Sequence, residues 1–201
     1  MTLAGGAEPV AVVLLAAGAS RRMRGADKLL EPVGGIPVLR HAALAALAAG
    51  LPVTAVLAPG RPERAAALDG LALRMVTADR AAEGMALSLR AGVAAAPAGH
   101  AVIVALADMP EIGPEDYAAL CAAARAHPGR CLRAVDCAGA AGHPVLFPAA
   151  LRPALAGLEG DAGARDILRA HPPMPVTLEG RRATTDLDTP EAWAAWRARQ
   201  G

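Results

Sequence analysis

The amino-acid sequence predicts a three-layer α/β/α fold of the Rossmann-like kind, built on a mixed, mostly parallel sheet. Three observations carry that expectation. Short, mostly apolar runs at residues 11–15, 53–57, 73–76 and 102–106 read as strands, and the uniformly apolar 102–106 has the pattern of a strand buried on both faces. Longer alanine-rich stretches of helical length, 38–49 and 85–96, lie between them. Strands that alternate with helices line up in parallel, with helices covering both faces of the sheet.

The later elements have their own local signals. Pro114, Glu115 and Asp116 put proline and two acids in a first helical turn. That helix is expected to run to about His127, ahead of Pro128. Residues 131–135 and 144–147 are strand candidates around a small-residue turn. Residues 149–158 and 163–170 read as helices, 183–187 as a strand, and Pro190 opens a last helix. No linker, repeat or low-complexity block divides the chain, so one domain is expected over 1–201.

Composition narrows the function classes. A hydrophobic fraction of 54% is enough for a core and excludes a disordered chain, while 2% aromatics implies closely packed helices with small side chains. The net charge of +1 gives no basic field, so no nucleic-acid partner is expected. Cys121, Cys131 and Cys137 form no CxxC pair. His41, His100, His127, His143 and His171 form no HExxH. Neither a disulfide framework nor a structural zinc site is expected, and a reducing cytoplasmic setting suits the thiols. The run 10–20 imitates the apolar core of a secretory leader, but Glu8 precedes it and Arg21 and Arg22 follow, the reverse of a leader's charge order. It is also too short to span a bilayer. It reads as the first buried strand, and no membrane partner is expected.

Ligands of parallel sheets bind beyond the carboxyl ends of the strands. The loops to inspect are therefore those after Leu15, Leu57, Val76 and Leu106. The first carries Ala16, Ala17, Gly18, Ala19, Ser20, Arg21 and Arg22, then Lys28. Backbone N–H groups of a small-residue loop approach phosphate oxygens closely, and arginine or lysine neutralises the remaining charge. The loop is not GxxxxGK(S/T), because leucine follows Lys28, and Gly18 lacks the GxGxxG continuation. On composition alone a solvated basic turn is an equal reading.

This loop resembles the signature of the molybdenum-cofactor nucleotidyltransferases, the MobA-like NTP transferases, roughly LAxGxSxRMGxxKxL. The match covers Leu15, Ala16, Gly18, Ser20, Arg22, Met23, Lys28 and Leu30. Arg24 stands where the family has glycine after the methionine, and Gly25 follows, a change expected to shift the loop by one residue. Residues 83–92 resemble the family's EGMxxSLRAG, 107–110 its (G/A)DMP, 142–147 its GHPVLF, 160–165 its GDxGAR and 186–191 its DIDTPE. Six motifs in the right order run through nearly the whole chain.

The resemblance implies a cytoplasmic, Mg²⁺-dependent nucleotidyltransferase with a nucleotide-binding half at about 9–110 and an acceptor-binding half at about 111–201. Ala17 matches the LAAG of the cytidylyltransferase branch and not the LAGG of the guanylyltransferases. It therefore points to transfer of CMP from CTP to molybdopterin, with release of pyrophosphate and a molybdoenzyme or its chaperone as a further partner. Ala78 departs from the family, where many members carry asparagine near the base. The rivals are GMP transfer from GTP, cytidylyl transfer to a sugar or polyol phosphate, and a non-catalytic carrier or chaperone of the molybdenum cofactor.

Carried over residue by residue, the resemblance assigns the nucleotide to Leu15, Ala16, Ala17, Gly18, Ser20, Arg21, Arg22 and Lys28, and to the helix start at Gly84 and Ser88. It assigns catalysis to Lys28, Arg22 and Asp108, and Mg²⁺ to Asp108, Asp186 and Asp188. It assigns the acceptor to Gly142, His143, Pro144, Asp161 and Arg165. Each has an ordinary alternative. Asp108 suits a turn before Met109 and Pro110. Gly84 suits a plain helix entry, His143 a structural histidine, and Asp161 a helix cap. Asp186 and Asp188 would share one face of the strand expected at 183–187. Asp188 is also placed to cap the helix opening at Pro190, which ranks Asp186 ahead as the metal ligand.

Overall fold

Seven strands form the central sheet of the computed structural model, which describes residues 8–158 and 164–200. The first half runs β1 (Val10–Ala16), β2 (Pro32–Val33), β3 (Ile36–Pro37), α1 (Val38–Ala48), β4 (Val53–Leu57), α2 (Pro62–Ala67), β5 (Arg74–Thr77), α3 (Met85–Ala95) and β6 (Ala101–Leu106). The second half runs α4 (Pro114–Ala126), β7 (Leu132–Val135), β8 (Ala141–Phe147), α5 (Arg152–Ala156), α6 (Arg165–Ala170), β9 (Met174–Thr177) and α7 (Pro190–Ala198). The sheet order is β5-β4-β1-β6-β8-β7-β9, and only β8 runs against the other six. The expected mixed, mostly parallel sheet is the one observed.

The side-chain alternation of a strand sorts the core into two layers. Val12 and Leu14 of β1 pack on one face with Leu39 of α1, Tyr117 of α4 and Trp193 of α7. Val13 and Leu15 pack on the other with Leu89 of α3, Leu155 of α5 and Ile167 of α6. Both faces of β1 are thus covered, which is why its sequence is apolar throughout. Burying each such aliphatic side chain stabilises the fold by about 1.5–3 kcal/mol.

The structure corrects the sequence reading in the second half. The strand expected at 183–187 does not form. A 3₁₀ turn at Arg182–Thr184 leads instead into an irregular segment. The place beside β7 is taken by β9, which pairs with it in parallel. Pro175 inside β9 disguised that strand in the sequence, and an edge strand tolerates the missing N–H. The helix expected at 149–158 is a 3₁₀ turn at Ala149–Leu151 followed by α5. The short β2–β3 ribbon turns through Gly34 and Gly35, both at positive φ (57° and 85°). Neither that ribbon nor α2 was anticipated. Among the described residues no helix is long and apolar enough to cross a membrane.

Candidate active site

From β1 the chain moves outward to β4 and β5, then crosses back to β6 on the other side of β1. A crevice opens at the carboxyl ends of strands where the order reverses in this way. Here it is a cleft of ≈ 560 Å³. Its walls come from the loop after β1 (Ala17, Gly18, Arg21, Arg22, Lys28), from Arg61 after β4, and from Asp79 after β5. The start of α3 adds Gly84, Met85 and Ser88; Asp108 follows β6, and Asp186 and Asp188 come from the C-terminal segment.

The loop after β1 folds back on itself. Ser20 and Arg24 both adopt φ 52°, a left-handed conformation uncommon for residues with a Cβ, on either side of a 3₁₀ turn at Arg21–Met23. Met23, 3% exposed, plugs the core and fixes the turn. Arg24 stands where the family glycine is missing. Arg24 itself takes the conformation a glycine would favour, Gly25 follows at φ 98°, and the Arg24 guanidinium lies 2.6 Å from Glu191 Oε1. A second 3₁₀ turn, Lys28–Leu30, is capped by Asp27, whose carboxylate accepts from the Leu29 N–H at 3.1 Å.

Lys28 projects from that turn into the cleft. Its ammonium donates to Asp108 Oδ2 and, at 2.5 Å, to Asp188 Oδ1, so two carboxylates distant in sequence converge on one cation. Burial pulls the Lys28 pKa down, but Asp108 and then Asp188 outweigh it and hold it above the ordinary lysine value. The side chain therefore stays charged throughout the neutral range. Arg22 reaches Asp188 from the solvent side. That contact is exposed and adds little to stability.

Asp188 does not cap α7. Thr189 does, its Oγ1 accepting from the Ala192 N–H at 3.1 Å. This corrects the capping role considered for Asp188 and removes the reason for ranking Asp186 ahead of it. Asp186 is exposed and also lines the cleft. The segment is held by two anchors. Leu187, 3% exposed, enters the core and donates its N–H to the Asp108 carbonyl at 3.2 Å. Trp193 and Trp196 of α7 pack edge to face, with centroids 5.9 Å apart.

Of the other sequence candidates, Leu15, Ala17, Gly18, Arg21, Gly84 and Ser88 line the cleft, while Ala16 and Ser20 stand behind it. Among the described residues a Cβ at Gly18 would meet no atom within 4 Å, so their packing does not demand that glycine. Gly84 caps α3 without a side-chain bond, and Gly84, Met85 and Ser88 at the start of that helix line the cleft. Gly142, His143, Pro144 and Arg165 do not line the cleft, and Asp161 lies outside the described residues. His143 still feels Asp108 and Asp186. Burial nevertheless holds its imidazole below the ordinary histidine value, and among the described residues its buried Nδ1 has no hydrogen-bond partner.

Gly142 has a packing reason of its own. A Cβ there would stand 1.7 Å from the Ala183 carbonyl oxygen, so the bare backbone of β8 is what admits the Arg182–Thr184 turn. Gly142→Ala should therefore destabilise the fold by about 1–3 kcal/mol or more, because backbone must move to admit the methyl group. Thermal unfolding checks this; an unchanged midpoint would contradict it.

The donor set suits a hard divalent cation. Asp108, Asp186 and Asp188 line the cleft, Asp186 exposed at its rim, and Asp108 and Asp188 converge on the Lys28 ammonium. Among the described residues no group of three or more His, Cys, Asp or Glu side chains is assembled for an ion. One or two carboxylates completed by substrate phosphates is how Mg²⁺ is ordinarily held.

A small-residue loop, a half-buried lysine and the carboxylates that converge on it at the switch point of a mostly parallel sheet define a nucleotide-handling α/β protein. The comparisons with known proteins agree. The chain belongs to the MobA-like NTP transferase domain family, whose model matches residues 12–174; it is a nucleotidyltransferase of that family. It is 33% identical over 189 residues to nicotine blue oxidoreductase of Paenarthrobacter nicotinovorans, covering 89% of this chain and 92% of that protein. It is 35% identical over 153 residues to molybdenum cofactor guanylyltransferase of Mesorhizobium japonicum, covering 73% and 70%. Among solved structures it resembles Rv0371c of Mycobacterium tuberculosis H37Rv, with a TM-score of 0.81, 26% identity, and 95% and 98% of the two chains covered. A further structure of Rv0371c, at TM-score 0.74 and 25% identity over 93% and 97% of the chains, is a complex with manganese. Relatives in this family carry names from two reaction classes, so the residues of the site must carry any finer assignment.

Proposed function

We propose that this protein transfers CMP from CTP to the phosphate of molybdopterin in an Mg²⁺-dependent reaction, releasing pyrophosphate. The observation that carries the reading is the convergence of Asp108 and Asp188 on Lys28, beside a glycine-bearing loop at the carboxyl edge of the sheet. An oxygen of the acceptor phosphate bonds to the α-phosphorus of the nucleotide as the bond to the departing pyrophosphate breaks. The acceptor oxygen is already ionised at neutral pH, so no general base is needed. The difficulty is bringing two polyanions together while charge grows on the leaving group, and positioned positive groups answer it.

Lys28 and Arg22 supply side-chain charge toward the phosphates. The loop from Ala17 to Arg21 and the start of α3 at Gly84 supply N–H groups, and the open space beside Gly18 leaves room for close approach. Mg²⁺ would be held by Asp108 with Asp188 or Asp186 and would neutralise phosphate charge. The family resemblance assigns His143, Gly142 and Pro144 to the acceptor; they lie outside the lining of the cleft, and burial favours the neutral imidazole of His143. The test is incubation with Mg²⁺, molybdopterin and each NTP separately, reading pyrophosphate release and product mass. No pyrophosphate with any NTP would defeat the reading.

Ala17 supports CTP as the donor. It is 8% exposed on the cleft wall, where its methyl group narrows the space available to a purine. Asp79, missed in the sequence, lines the same cleft, but its carboxylate accepts from the exocyclic amine of cytosine and of guanine alike, so the preference rests on Ala17. CTP should therefore outcompete GTP when both are present. Equal or better turnover of GTP in a direct competition assay would reassign the donor and make the family's guanylyl branch the better model.

A further inference from the structure

We infer that Arg64 is a positioning residue for nucleotide binding, a buried fork that holds the loop after β1 and Lys28 in their working shape. The inference rests on the nucleotidyltransferase reading above and adds a residue that no motif assigns. Arg64 sits on α2, in the connection from β4 to β5, and is fully buried at 0% exposure. Its Nε and Nη2 donate to the two carboxylate oxygens of Asp27 at 2.7 and 2.8 Å. Its Nη1 donates to the Ala16 carbonyl at 2.6 Å, and Nη2 also reaches Ser20 Oγ at 3.2 Å. One side chain thus ties together the last residue of β1, the turn of the loop and the residue before Lys28.

The network continues to the cleft. Ser20 Oγ donates to Asp27 Oδ1 at 3.0 Å and accepts from the Lys28 N–H at 3.3 Å. Ser20 holds a left-handed φ of 52°, a conformation that persists away from glycine when its surroundings over-determine it. Leu29, 2% exposed, and the Asp27 cap fix the other side of Lys28. Arg61, on the same connection as Arg64, lines the cleft and lies 3.8 Å from Asp27 Oδ2, so the fork also joins two walls of the site.

Stability alone gives little reason to bury this pair. A buried ion pair is often no more stabilising than well-packed apolar residues of the same volume. What apolar residues cannot supply is a rigid, three-directional set of donors. Lysine cannot supply it either, because its ammonium is a point charge without the planar fork.

The experiment compares wild type with Arg64→Met, Arg64→Lys, Asp27→Asn and the double variant Asp27→Asn/Arg64→Met. It reads thermal midpoint, affinity for Mg–CTP and for inorganic tripolyphosphate, and kcat against acceptor KM. Arg64→Met alone should lose stability, because it strands the Asp27 carboxylate. The double variant removes that charge and should recover much of the midpoint. It should still bind tripolyphosphate and Mg–CTP more weakly by about tenfold to a hundredfold, with kcat lowered and acceptor KM unchanged. Arg64→Lys, which restores charge without the fork, should not rescue affinity.

A double variant that regains both stability and wild-type triphosphate affinity would overturn the inference and leave Arg64 a packing residue. If the double variant fails to fold, Asp27→Asn decides. It keeps Arg64 and the cap to Leu29, and unaltered triphosphate affinity there is equally fatal. A wild-type protein that binds neither CTP, GTP nor tripolyphosphate defeats the nucleotidyltransferase reading itself, and this inference with it. Wild-type binding that every variant matches defeats this inference alone.

Discussion

Replacing Lys28 by alanine should lower turnover by about a hundredfold or more while leaving the fold intact, the usual cost of removing one electrostatic donor from a protected site. Lys28 is the one lysine of the loop and its side chain is 14% exposed, so solvent screens its charge weakly. The structure adds a second expected effect. In the free protein the single ammonium is shared by Asp108 and Asp188, and Arg22 also pairs with Asp188. Without the ammonium, the carboxylates lose the cation they share and should bind a divalent ion more tightly before nucleotide arrives. Rising metal affinity with collapsing turnover is the signature of a group that serves the carboxylates first and the phosphates afterwards. Steady-state kinetics and metal titration read the two effects, and circular dichroism controls for unfolding. Wild-type turnover at saturating substrates would reduce Lys28 to a countercharge. Lys28→Arg is not expected to rescue, because the broader guanidinium does not fit a point contact shared by two carboxylates.

β1, β4 and β6 were legible because burial on both faces writes itself as nearly uninterrupted apolar residues, whereas β5 is a mostly exposed edge strand. The run 53–57 coincides with β4, and β1 and β6 extend their predicted runs by a residue or two. The second half was harder for a physical reason. β9 is a four-residue edge strand with a proline in it, and 183–187 has strand-like residues but no free strand beside it. Secondary structure there depends on which segment reaches the edge of β7, a tertiary matter that local composition does not encode.

The site divides in the same way. The loop after β1, the helix start at Gly84 and the strand-end Asp108 were legible, because each sits at a strand or helix boundary with a recognisable motif. Asp188 had two local readings, and Thr189 next to it, which does the capping, removes one of them. Asp79, Arg61 and Arg64 were invisible. They lie on the connections around β5, where no motif marks them, and only the folding of α2 against the loop brings Arg64 to Asp27.

Asparagine at Asp108 or at Asp188 should raise the Mg²⁺ concentration for half-maximal activity by about tenfold or more, since even outer-shell partners of a metal cost that much. The same change at Asp186 should do less. The ranking follows from the geometry. Asp108 and Asp188 already meet on Lys28, and Leu187 ties the C-terminal segment to the Asp108 backbone, so the two carboxylates are held together before any ion arrives. Asp186, on the other side of Leu187, faces solvent. In the absence of metal these carboxylates repel the triphosphate, and metal and nucleotide each relieve the repulsion felt by the other. Their binding is therefore mutually favourable, and by linkage the coupling is equal in both directions. A crossing pattern results. Without Mg²⁺, Asp108→Asn and Asp188→Asn should bind CTP as tightly as wild type or more tightly, because a negative charge is gone. With Mg²⁺ they should bind it more weakly, because a ligand is gone. Isothermal titration at zero and saturating Mg²⁺ measures both arms. An Asp108→Asn protein with an unchanged Mg²⁺ requirement would refute the metal assignment. If Asp188→Asn is silent and Asp186→Asn is not, Asp186 becomes the second ligand and Asp188 serves only to hold Lys28.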